Sequence, residues 1–178
     1  MPDTGFMSPD NVVSTSGTFF TNFWINEGGG IIVFFASSGT QTVDGFENDG
    51  TLPAGATITG AEVELQNTYV GSGTGTIDIQ LSINGGSSFS SSITSPTLTT
   101  DSLADYIVGS STQLWGLDWS GFSDLSQLQL KGLNPSTAVF ADHVRLKLHY
   151  EVAAAGTGPV RLQSGAKLKI LSGKFLIN

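Results

Sequence analysis

Ten consecutive residues near the end of the chain alternate strictly between apolar and polar. Val144, Leu146, Leu148, Tyr150 and Val152 form one set; His143, Arg145, Lys147, His149 and Glu151 form the other. Successive side chains of a strand leave opposite faces, so the first set belongs in a core and the second in solvent or an interface. The pattern recurs where Ile77, Ile79, Leu81 and Ile83 alternate with Asp78, Gln80 and Ser82, and where Val63 and Leu65 alternate with Glu62 and Glu64. Thr18–Ile25 and Gly30–Phe35 are rich in β-branched and aromatic residues, with Glu27–Gly30 as the turn between them. Helix is scarce: Asp101–Tyr106 and Ser123–Leu128 each suit about one turn. Roughly eight to ten short strands separated by turn residues predict an all-β fold. The expected architecture is two antiparallel sheets, a sandwich or jelly roll, with a short C-terminal strand extension.

A chain of 178 residues buries roughly two thirds of its unfolded surface and needs no covalent staple. Without cysteine it has no disulfide framework, no thiolate zinc site and no cysteine nucleophile. The opening MPDTGFMSPD lacks the basic and apolar regions of a signal peptide, and no apolar run approaches 18 residues, so membrane crossing is not expected.

Charge divides the chain. Residues 1–130 contain 13 Asp and Glu and no Lys or Arg; all seven basic residues lie from Lys131 onward. Residues 153–178 hold four cations, Arg161, Lys167, Lys169 and Lys174, and no acid. Such asymmetry marks an interaction tail whose partner presents acid, either a second copy of the domain or another protein. The overall acidity argues against nucleic acid as that partner.

Ala153–Pro159, with two glycines and a proline among small residues, reads as a linker. The expected organisation is an N-terminal arm at 1–7, a sandwich at 8–152, the linker at 153–159, and a basic hairpin or strand-exchange tail at 160–178. Ser164–Ile170 is echoed by Ser172–Ile177, and Ser172-Gly173 suits a two-residue hairpin turn. An isolated hairpin is marginal in water, so its apolar residues need a partner surface. Arg161, Leu162, Lys167, Leu168, Lys169, Ile170, Lys174, Phe175 and Ile177 are therefore the candidate self-assembly or partner contacts.

Chemistry is harder to find. His143 and His149 lie about 20 Å apart along one strand, too far to share a metal, and Asp142 points away from His143. There is no G-x-S-x-G elbow, and Gly173-Lys174 lacks the rest of a phosphate loop. Asp44, Glu47 and Asp49 cluster in a turn, a calcium candidate whose spacing matches no calcium loop; turn-forming acids are the plainer reading. Trp115 and Trp119 offer an alternative glycan platform, but alternation puts both with Leu117 on one face, which favours core. Phe19, Phe20, Phe23 and Trp24 occupy both parities, so part of that surface is expected to meet another element or subunit. Ser82–Phe89 resembles the Asp-box hairpin turn S-x-D-x-G-x-T-W, with Asn84 for the Asp and Ser88 for the Thr. In families that carry it, the box is a structural turn remote from the active site. The residues point to a non-enzyme without metal or cofactor.

Taken in order, Leu52–Leu65, Leu81–Phe89, Thr112–Trp119, Leu125–Leu130 and Ala141–Tyr150 resemble a β-sandwich domain that recurs in structural proteins of tailed bacteriophages. Members serve on heads, tails and fibres, so the fold alone does not choose the role. The resemblance implies a virion protein assembled in the bacterial host cytoplasm, foremost a capsid decoration (cement) protein. On that reading it is a homotrimer whose partner is the major capsid protein or another virion structural protein. The alternative is a tail or fibre module binding host-surface glycan through Trp115, Trp119 or the Asp44–Asp49 turn.

Overall fold

The computed structural model describes residues 2–16, 33–35, 39–48, 50–99, 103–133, 137–141, 143–153, 168–171 and 174–177. Within them, two antiparallel sheets face each other across one apolar core. The first sheet runs in the order β1 (Asn11–Ser16), β3 (Thr40–Asp44), β10 (Gln129–Leu133), β6 (Asp78–Ser82), β7 (Ile93–Thr94). The second is organised by β4 (Ala56–Val70), a strand of 15 residues. One edge of β4 pairs with β12 (His143–Val152) and then β11 (Val139–Ala141), the latter extended by β2 (Val33–Phe35). Its other edge pairs with β9 (Ala104–Ser110). A two-residue ladder joins β5 (Thr74–Gly75) to β8 (Leu98–Thr99). Last come β13 (Leu168–Leu171) and β14 (Lys174–Ile177), which pair with each other.

The core is where period two placed it. Val43, Ile79, Leu81 and Leu130 from the first sheet meet Val63, Leu65, Val144, Leu146 and Leu148 from the second, all buried. The alternation of β12 breaks at its end. His149 pairs with Gly60 but Tyr150 pairs with Ile58, so β4 holds one extra residue there. A bulge of this kind re-aims the side chains beyond it. Val152, expected in the core, is 46% exposed; His149, expected in solvent or an interface, stays on the outward face beside Glu62 but is 7% exposed, with Asp3 of the N-terminal arm bridged to it.

The N-terminal arm is bound along the remaining edge of β12. Thr4 N donates to Leu148 O at 3.0 Å, Met7 N to Leu146 O at 2.8 Å, Leu146 N to Met7 O at 2.9 Å, and Tyr150 N to Pro2 O at 3.1 Å. Met7 lies fully buried, so close to Gly50 that a Cβ there would fall 2.2 Å from its sulfur. The arm thereby caps an edge that would otherwise be open to pairing. Nothing in residues 2–8 alternates, so periodicity gave no sign of this.

Of the two expected helical turns, one forms: Leu125–Gln127 is a 3-10 turn, with Asp124 accepting from Ser126 N. The other is corrected, because from Ala104 the chain is β9. Tyr106 and Val108 pair with Leu65 and Val63, and this ladder overrides local turn preference. The aromatic run Thr18–Ile25 and its turn lie outside the described residues, as do Gly30–Ile32; Val33–Phe35 form a strand.

Met7→Ala is predicted to cost about 2–5 kcal/mol, the usual range for emptying a buried Met site. A lower urea midpoint at unchanged m-value shows it. A midpoint equal to that of the parent chain would mean the arm is an accessory.

Candidate assembly site

The outer face of the second sheet carries a ladder of opposite charges. Register sets Arg145 opposite Glu64 and Lys147 opposite Glu62. Arg145 Nε donates to Glu64 Oε2 at 2.8 Å, and Nη2 donates to the same oxygen. Lys147 Nζ stands 3.5 Å from Glu62 Oε2, and His149 Nε2 stands 3.2 Å from Glu62 Oε1. The angles of that last contact do not make a hydrogen bond, so it is one of proximity. The arm completes the site. The Phe6 ring lies 4.0 Å from Lys147 Nζ and 5.0 Å from Arg145 Cζ, within cation–π range of both. The polar set of β12 is thus a partly covered ion-pair array and not a solvated face.

This array uses up positive charge. Residues 1–152 carry a net −12 and contain only three cations, while residues 153–178 carry +4. Arg145 and Lys147 are held by Glu64 and Glu62, and Lys131 stands 4.9 Å over the ring of Phe89. Asp3, Glu47, Asp105, Asp118, Asp124 and Glu151 are exposed. Asp118 is held ionised to lower pH than an ordinary carboxyl, first by the Ser120 hydroxyl and then by the Ser120 N–H. The sandwich therefore presents acid outward, and its counter-charge lies in the C-terminal segment.

Within that segment the expected hairpin is present. Leu168 pairs with Ile177, Lys169 with Leu176, Ile170 with Phe175 and Leu171 with Lys174. The ladder places the positions of Leu168, Ile170, Phe175 and Ile177 on one face. No strand of the sandwich joins this two-stranded sheet among the described residues. Arg161, Leu162 and Lys167 lie outside the described residues.

Trp115 and Trp119 belong to the core, as alternation favoured, but on a turn and not a strand. Trp115 has φ +59° and Gly116 +69°, and Leu117 N donates to Leu114 O at 3.0 Å. Trp115 is 1% exposed and its Nε1 donates to Ala61 O at 3.0 Å. Gly109 is required beside it, since a Cβ there would meet the indole at 3.0 Å and Ala61 O at 2.4 Å. Trp119 is 6% exposed, donates to Leu114 O at 2.9 Å and meets Phe122 edge-on. At 1% and 6% exposure the two rings do not form an exposed platform, which corrects the sugar-platform alternative. Trp119 lines one wall of an open cleft of about 390 Å³ with Ile58, Leu114 and Leu117.

The remaining candidates resolve as structure. Asp44 Oδ1 accepts from Asn11 Nδ2 at 3.0 Å and Oδ2 from Gln129 Nε2 at 3.4 Å, tying the carboxylate to both neighbouring strands. Glu47 is exposed on a 3-10 turn, and Asp49 lies outside the described residues. No group of three metal-ligating side chains occurs among the described residues. His143 pairs with Gln66, six positions along the strand from His149. The Asp-box-like turn closes on itself. Ser82 Oγ accepts from Gly86 N at 3.0 Å and donates to Asn84 Oδ1 at 2.9 Å, while Asn84 Oδ1 also accepts from Ser88 N at 3.0 Å. Gly85 and Gly86, at φ +64° and +80°, make the bend.

Comparison with protein-family models, with curated proteins and with solved structures finds no match.

Glu64→Ala strands a half-buried guanidinium and is predicted to cost about 1–3 kcal/mol. In a double-mutant cycle with Arg145→Ala, urea unfolding should give a coupling of at least about 0.5 kcal/mol. Strict additivity would show the pair to be ornamental.

Proposed function

We propose that this chain is a non-enzymatic structural protein of a bacteriophage virion, a capsid decoration (cement) protein that binds the assembled head as a homotrimer. The observation that carries the reading is the separation of charge between an acidic sandwich and a basic, self-paired hairpin. A two-stranded sheet is marginal alone, and four cations without an acid seek a carboxylate-rich surface. The sandwich supplies such a surface on every copy. The sequence resemblance to phage structural domains supports a virion as the setting, with the major capsid protein as the second partner. Ligand turnover plays no part in the mechanism. A protein that binds the assembled shell and not its dissociated subunits stabilises the shell by mass action, by about 2.7 kcal/mol per site at one hundred times Kd.

Phage heads assembled without the chain provide the test. Added protein is predicted to bind saturably, at a fixed number of copies per shell, and to raise the temperature at which the heads release their contents. Heads that take up no protein would end the decoration reading.

A further inference from the structure

The hairpin β13–β14 needs an acceptor, and the sandwich has a strand edge that suits it. β4 occupies one edge of β9, and no strand among the described residues occupies the other. Edge strands are normally blunted by lysine, proline or a covering segment. β9 reads Ala-Asp-Tyr-Ile-Val-Gly-Ser, with neither proline nor cation, and Asp105 is its one charge. Of the five large apolar side chains left exposed among the described residues, Ile107 (41%) is on β9 and Leu103 (62%) immediately precedes it. The opposite margin of the same sheet is closed by the N-terminal arm.

We propose that β9 of one copy is the acceptor edge for the β13–β14 hairpin of a second copy, which adds to it by main-chain pairing. Strand addition draws affinity from backbone hydrogen bonds and selectivity from alternate side chains. Leu103, Asp105 and Ile107 share one parity of β9, and one face of the hairpin matches it, with the positions of Lys169 and Lys174 for Asp105 and those of Leu171 and Leu176 for Leu103 and Ile107. A second copy is the fitting donor. β12, which ends at Val152, and β9 lie on opposite edges of β4, and the net −12 of residues 1–152 in each copy complements the +4 of residues 153–178 in another. Donor and acceptor are different surfaces of one chain; such a contact closes when two copies exchange hairpins or when its head-to-tail rotation returns on itself, of which three copies is one solution. The inference rests on reading the chain as self-assembling and names the surface involved.

The test uses the full chain with a photo-crosslinking benzophenone amino acid in place of Ile107, co-assembled from isotope-labelled and unlabelled copies. Mixed-isotope cross-links joining position 107 to residues 168–177 are expected. Cross-links within one copy, to any other segment, or none from an oligomeric sample would overturn the β9 assignment and leave self-assembly standing. A chain that is monomeric throughout would overturn both. Independently, Ile107→Lys, a change at an exposed position, should keep the thermal midpoint and weaken self-association about tenfold or more through like charge. Unchanged association would also overturn the assignment.

Discussion

The ladder between β4 and β12 is the constraint on which the rest of this molecule depends. Ten register pairs join the two strands, and each face of the ladder has a separate task. Inward, Val63, Leu65, Val144, Leu146 and Leu148 supply the floor of the core. Outward, Glu62 and Glu64 meet Lys147 and Arg145. Because the side-chain period is two, a slip of one residue would exchange the faces, burying four charges and exposing the aliphatic floor. The charge pairs are individually modest, since exposed ion pairs contribute little. Their value is that the outer face recognises one register as well as the inner one does.

The same pairing shapes the chemistry of the surface. Fixing Arg145 and Lys147 on Glu64 and Glu62, under the ring of Phe6, removes two of the sandwich's three cations from any outside partner. The third, Lys131, stands over Phe89. What faces outward is acid, and the compensating charge sits in residues 153–178. Stability within the domain and the attraction we propose between copies thus draw on one distribution of thirteen early acids and seven late bases.

Much of this was legible from the residues because strands advertise themselves by period. The core faces of β4, β6 and β12, the hairpin at Ser82–Phe89 and the C-terminal pair β13–β14 all follow from alternation and turn chemistry. What was hidden has particular causes. The bulge past His149 comes from the backbone of β4 and leaves no mark on the alternation of β12, which points Val152 to a core it does not reach; His149 is covered at the arm, whose pairing no periodicity reveals. The arm at residues 2–8 takes its place largely by main-chain bonds to β12, which any sequence can make, with side chains contributed by Met7, by Phe6 and by Thr4, whose Oγ1 accepts from Leu148 N at 3.1 Å. Trp115 was rightly expected in the core, but its positive φ and the following glycine make it a turn residue, which apolar spacing alone does not reveal. At Ala104–Ser110 a local turn signal lost to the long-range demand of β4 for a second neighbour.

The central claim, that the basic C-terminal segment of one copy holds the acidic sandwich of another, is tested most directly by the solution mass of the full chain across ionic strength. At low salt, light scattering should report a closed oligomer of three copies. That mass should fall as the Debye length shortens below about 10 Å. A monomer at every salt and protein concentration would contradict the account.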